Sequence, residues 1–141
     1  MAVIETSPVS RTLAYNELTT NVSVTATSEA TANTIVTASA ITVDGKTPIT
    51  ITAFTPVTSV GAGSTLTVCL YDGSSSIGFL GYFNPSGVVF YLPQSFLRRF
   101  TPSAGTHTYS IRAFIDGGTG TIGGGSGGAG ANVPAFIKIE M

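Results

Sequence analysis

Four stretches of the chain alternate in polarity every two residues, and that period limits what the chain can become. In residues 47–55, Ile49, Ile51 and Ala53 fall on one side of an extended backbone and Thr50, Thr52 and Phe54 on the other. In 65–71, Leu66, Val68 and Leu70 oppose Thr65, Thr67, Cys69 and Tyr71. Residues 106–116 set Tyr109, Ile111, Ala113 and Ile115 against Thr108, Ser110, Arg112 and Phe114. Residues 133–140 set Val133, Ala135, Ile137 and Ile139 against Phe136, Lys138 and Glu140. Successive side chains of a strand point to opposite faces, so each stretch reads as a strand with one face turned to a core. No window carries apolar residues at i, i+3, i+4 and i+7 over a helical length.

Further strands are predicted at 12–16, 20–27, 34–43, 77–83 and 87–92. Turn chemistry separates several of them, at Asp44-Gly45, Gly61-Ala-Gly63, Asp72-Gly73, Asn84-Pro-Ser-Gly87 and Ser103-Ala-Gly105. Short strands with turns this frequent point to an all-β domain, an antiparallel β-sandwich or jelly roll, over residues 12–141. A chain of 141 residues is long enough to bury one such core. Residues 1–11, containing Thr6-Ser-Pro-Val-Ser, lack the alternation and are expected to form an extended N-terminal arm.

The second face of each alternating strand is polar except for one aromatic: Phe54, Tyr71, Phe114 or Phe136. Each would bury about 150–250 Å² if covered. Either a subunit interface covers these four, or a loop or the N-terminal segment folds over them. The interface reading is favoured by the composition. Charged residues make up 9% of the chain, against about 25% in an ordinary soluble domain. The formal net charge is −1, and near-zero charge promotes association. The same balance leaves no basic patch for nucleic acid, the densest cluster being Arg98-Arg99. Cys69 is the one cysteine, so no internal disulfide is available, and its strand context suggests a small buried or interface residue. No apolar run reaches the ~18 residues of a membrane span, and the opening MAVIETSPVSR lacks the pattern of a signal peptide. The expected place of synthesis and folding is therefore a cytoplasm.

Nine of the eighteen residues in 117–134 are glycine, and Gly118–Gly123 formally matches the G-x-G-x-x-G phosphate fingerprint. That fingerprint must open a helix, so that backbone N–H groups meet the pyrophosphate. The Gly-Gly-Ser-Gly-Gly-Ala-Gly that follows cannot sustain one. The tract is instead expected to be a long loop between the last two strands, with room for close subunit contact. His107, the one histidine, could serve a Ser-His-Asp device, but no helix-forming window is present to complete the strand-to-helix turn of a nucleophile elbow. A hydrogen-bonded structural histidine is the simpler reading. One His, one Cys and dispersed acids offer no metal set. No catalytic, cofactor-binding or metal-binding residue is predicted, and an enzyme is not expected. A carbohydrate site would need an aromatic platform beside amides or acids, and Tyr82, Asn84 and Gln94 are the candidates for it.

Three blocks carry a family resemblance. These are Arg98-Arg-Phe-Thr-Pro-Ser-Ala-Gly-Thr-His-Thr-Tyr-Ser-Ile-Arg-Ala-Phe114, Gly118-Thr-Gly-Thr-Ile122 and Val133-Pro-Ala-Phe-Ile-Lys-Ile-Glu140. Together with Leu13-Ala-Tyr-Asn-Glu-Leu-Thr-Thr20 and Thr67-Val-Cys-Leu-Tyr-Asp-Gly73, they make residues 12–140 resemble small virion proteins of tailed bacteriophages, especially those infecting actinobacteria. Such proteins are described as head decoration or minor tail proteins. The resemblance implies a jelly roll similar to the tumour-necrosis-factor-like trimers, with C-terminal strands lining the threefold axis, and it assigns no catalytic residue. The expectation is a homotrimeric structural protein of the virion that decorates the capsid, with itself and the major capsid protein or neighbouring virion proteins as partners. A minor tail protein and a receptor- or carbohydrate-binding module are the alternatives.

Overall fold

The computed structural model describes residues 10–85 and 91–141. Among them the strands run β1 (Thr12–Leu18), β2 (Val22–Val24), β3 (Asn33–Thr37), β4 (Ile41–Val43), β5 (Ile49–Val60), β6 (Leu66–Asp72), β7 (Ser75–Phe83), β8 (Leu92–Phe100), β9 (Gly105–His107), β10 (Tyr109–Ile115), β11 (Gly120–Gly123) and β12 (Ala135–Glu140). One turn of 3-10 helix, Glu29–Thr31, interrupts them. All pairings are antiparallel. One sheet runs β1-β12-β5-β11-β2, with β8 also paired to β5; the second runs β3-β10-β6-β7; β4 and β9 form a ribbon.

The inner faces of the two larger sheets meet in one core. Ile49, Ile51 and Ala53 of β5 and Ala135, Ile137 and Ile139 of β12 are buried from one side. Leu66, Val68 and Leu70 of β6 and Tyr109, Ile111, Ala113 and Ile115 of β10 are buried from the other. These are the faces the two-residue period predicts, and the result is an all-β antiparallel sandwich. Val133 is the exception: Pro134 precedes the strand, β12 starts at Ala135, and Val133 is 52% exposed.

β5 runs five residues further than the 47–55 pattern indicates. Pro56 lacks an N–H and falls where the ladder to β8 shifts register, between Thr55 and Thr58. On the opposite edge the partner changes at the same point. β12 pairs with Thr50–Phe54 and β11 with Val57–Val60. Thr55, 4% exposed, closes the gap: its hydroxyl reaches the carbonyls of Gly123 at 2.7 Å and Val57 at 2.8 Å. The hydroxyl thus binds across the point where β11 meets β5.

Two elements depart from the expectations. β8 occupies Leu92–Phe100, a segment without a predicted strand, while the strand predicted at 87–92 falls largely on residues 86–90, outside the described residues. The glycine tract is not simply a loop, because Gly120–Gly123 forms β11 between β5 and β2. A Cβ at Gly120 would lie 2.7 Å from Leu66 Cδ1, and one at Gly124 would lie 2.0 Å from the carbonyl oxygen of Leu18. The close approach that these glycines permit is therefore made within the chain. The arm expected over 1–11 lies outside the described residues for 1–9. Arg11 belongs to the sheet, exchanging two backbone hydrogen bonds of 2.9 Å with Met141.

Two substitutions test this packing. Thr58 is fully buried and its hydroxyl has no partner among the described residues. Thr58→Val, which removes the orphaned hydroxyl at constant shape, is expected to stabilise by about 1 kcal/mol. Gly124→Ala drives a methyl into backbone and is expected to cost about 3 kcal/mol or more. Urea denaturation of the two variants checks both signs.

Candidate functional site

β1, β12, β5 and β8 stand side by side, and their outward residues combine an aromatic row with Thr50, Thr52 and several charged side chains. Phe136 pairs across the ladder with Phe54, their ring centroids 5.8 Å apart. Tyr15 of β1 approaches Phe136 at 5.6 Å, and its hydroxyl donates to Glu17 Oε1 at 2.7 Å. Leu97 of β8 lies opposite Thr52 and is 69% exposed. Charges stand beside the row: Lys138 pairs with Glu140 at 3.0 Å, and Arg99 lies opposite Thr50. Phe54 and Phe136, predicted as surface aromatics from separate strands, are thus neighbours on one face. Tyr15 and Leu97 join them. Tyr15 was legible in principle, since it alternates with the buried Ala14.

The outer face of the second sheet is different. Here the Glu29–Thr31 turn lies over β6 and covers Cys69 and Tyr71. The Tyr71 hydroxyl donates to the Glu29 carbonyl, and Ser76 donates to the Glu29 carboxylate. The Arg112 guanidinium sits 4.3 Å from the Tyr71 ring centroid. Tyr71 is 3% exposed and has no surface left for a second subunit. The expectation of an interface aromatic is corrected there: a loop of the same chain covers it. Burial, with a contribution from Glu29, pushes the Cys69 thiol up to about 12, so the thiolate needed for reactivity is absent at neutral pH. Phe114 remains half-buried, 6.0 Å from Phe79, which makes an edge contact with Tyr82 at 5.9 Å. The register shifts of β7 put Phe79 on this face, and no regular alternation would have shown it.

The three carbohydrate candidates do not converge. Tyr82 stands on the outer face of β7. Gln94 shares the inner side of β8 with Phe96, which packs against Gly81. The Asn84 amide donates to Thr65 Oγ1 at 2.7 Å. A platform needs its polar groups beside one ring face, and that arrangement is missing.

His107 joins the end of β9 to the end of β6. Its Nδ1 lies 2.5 Å from Asp72 Oδ2 and its Nε2 lies 2.9 Å from the Ser103 carbonyl. Its ring stacks on Tyr109 with centroids 5.7 Å apart. Both nitrogens face acceptors, which only the doubly protonated ring satisfies. The Asp72 hydrogen bond, then the Ser103 carbonyl, raise its pKa above the usual histidine value. A nucleophile-activating histidine needs a hydroxyl at Nε2, and that position is held here by a backbone carbonyl. Among the described residues no three His, Cys, Asp or Glu side chains gather as a metal site requires, and no helix is long and apolar enough to cross a membrane.

No protein-family model matches the chain, and no curated protein sequence matches it. Among solved structures it is similar to the infectious bursal disease virus VP2 subviral particle. Identity is 13% and the TM-score 0.32, over 99% of this chain and 41% of that one. The chain spans less than half the length of that neighbour, and the overlap is too loose for the description of this fold or its role to rest on it.

The His107 contacts carry a pH dependence. A raised folded pKa means that the native state holds the proton more tightly than the unfolded chain does. The stabilisation is complete below the unfolded value of about 6.5 and is lost as pH rises through the raised folded value. Urea midpoints measured from about pH 5 to about pH 9 should therefore fall across neutrality in the wild type. Asp72→Asn should flatten that fall, and an unchanged profile would disprove the assignment.

Proposed function

We propose that the protein is a structural component of a virus particle, specifically a capsid-decoration protein of a tailed bacteriophage that assembles as a homotrimer. The observation that carries the proposal is the row of Tyr15, Phe136 and Phe54, with Leu97 beside it, on the outer face of an otherwise polar sheet. Contact between copies removes that row from water, and aromatic rings supply large contact area at small entropic cost. The near-zero net charge of the chain supports the same reading, because it favours association. The resemblance of residues 12–140 to small phage virion proteins supplies the phage and decoration part of the proposal. Phe114, with Phe79 and Tyr82, lies on the opposite side of the sandwich, where it serves the contact with the major capsid protein or neighbouring virion proteins.

No chemistry is assigned to this protein: its work is to hold surfaces together. The carbohydrate-binding alternative is weakened, because Gln94 stands on a different strand face from Tyr82 and the Asn84 amide is engaged by Thr65.

Native mass spectrometry at about micromolar concentration should find three copies. Phe136→Asp places a carboxylate in the contact and should weaken assembly by at least about a hundredfold while far-UV circular dichroism stays unchanged. A wild type that is monomeric, or a Phe136→Asp variant that still forms trimers, overturns the interface. Electron microscopy of purified particles tests the location, and density on the tail instead of the shell would replace decoration by a minor tail role.

A further inference from the structure

At one end of the sandwich the β6–β7 turn, the β8–β9 loop and the start of β10 surround a pocket of about 270 Å³. Two groups in its lining lack the partners their chemistry requires. Tyr109 is 1% exposed, and its hydroxyl has no hydrogen-bond partner among the described residues. Burial, then the Asp72 charge, push its pKa up to about 12, with Arg98 acting the other way, so the hydroxyl is a neutral donor. Arg98 donates from Nη1 to the Ile77 carbonyl and lies 4.9 Å from the Phe100 ring centroid. The ion pairs among the described residues are His107–Asp72 and Lys138–Glu140, so no carboxylate pairs with Arg98 there.

Asp72 lines the same pocket, but both its oxygens are engaged. Oδ2 meets His107 Nδ1 at 2.5 Å, and Oδ1 accepts the Thr108 N–H at 3.2 Å. Protonated His107 balances its charge. What remains is a half-buried guanidinium with no carboxylate partner among the described residues and, shielded from solvent in the same lining, a hydroxyl donor with no acceptor. Unsatisfied buried polar groups are expensive and rare. A water could take the Tyr109 proton but would leave the charge unmatched, whereas a carboxylate answers both. The backbone is shaped to admit the guanidinium: Gly78 has φ +131°, and a Cβ there would lie 3.3 Å from Arg98 Nη1.

We propose that this pocket binds a carboxylate, with the Arg98 guanidinium and the Tyr109 hydroxyl as its donors. Its volume suits a small organic acid or a single acidic side chain, below the roughly 300–1,000 Å³ of drug-sized sites. The site stands apart from the assembly face and does not depend on trimer formation. Its carboxylate comes either from a free small acid or from a glutamate or aspartate of a neighbouring protein.

His107 is the one histidine in the chain, so its ring resonances in NMR report on the pocket without ambiguity. Acetate titrated at constant ionic strength should shift them saturably, while acetamide, its uncharged counterpart, should not. Arg98→Gln should weaken the response at least about tenfold. Tyr109→Phe, which keeps the ring stacked on His107, should weaken it about threefold. An acetate response matched by acetamide or by chloride, a response undiminished in Arg98→Gln, or no response at all overturns the site. If Arg98→Gln does not fold, the wild-type contrast of acetate with acetamide decides alone. Glucuronate and an N-acetylated, amidated glutamate separate the two sources: tighter binding of the sugar acid supports a free ligand, and tighter binding of the capped glutamate supports a protein neighbour.

Discussion

The hydroxyl of Thr55 sits where the larger sheet changes partners, and the rest of that sheet depends on it. β5 is paired with β8 along one edge and divided between β12 and β11 along the other. A proline in the middle of such a strand removes a donor and breaks the ladder. At the junction the single Thr55 O–H lies within reach of the Gly123 and Val57 carbonyls and bridges β5 to β11. Without that junction β12 and β11 would compete for one edge. With it, β12 brings Phe136 beside Phe54, and β11 brings the glycine tract into the sheet.

The parts of the fold legible in the sequence are those governed by local period. The inward residues of β5, β6, β10 and β12 could be named because each strand buries one face and solvates or covers the other. Turns were legible for a similar reason: Gly45, Gly63, Gly73 and Gly105 have positive φ at the positions where Asp-Gly and Gly-rich pairs predicted reversals. What escaped depends on distant residues. β11 carries too little side chain to show alternation, and it is a strand because β5 and β2 flank it. β8 opens with Leu92-Pro93 and closes with Arg98-Arg99-Phe100, a pattern that reads as a strand only once β5 is beside it.

The candidate surfaces divide the same way. Phe54 and Phe136 are surface aromatics by parity alone, and parity misled at Tyr71. That residue has the right phase, but a turn from Glu29, 42 residues away, lies over it. Period two states which side of a sheet a residue takes and is silent on what lies above that side. Asp72 and Arg98 reach His107 and Tyr109 from two other strands, so no spacing in the sequence announces their pocket. The two sites also differ in chemistry. The proposed assembly face offers an aromatic row flanked by charges, and the proposed pocket offers a few polar groups whose local partners are incomplete.

The pairing of β1 with β12 has a consequence for the order of events at the ribosome. β1 has β12 as its ladder partner, and the central β5 needs β8, β11 and β12, all of which follow it in the chain. The larger sheet therefore cannot close until residues 135–140 have been synthesised. Until then the apolar sides of β1 and β5 wait in water, and long-range pairing of this kind forms slowly. The sparse charge of the chain gives the incomplete sheet little protection. Closure of this sheet thus waits for β12, and the interval before it is when self-association in the wrong register is most dangerous.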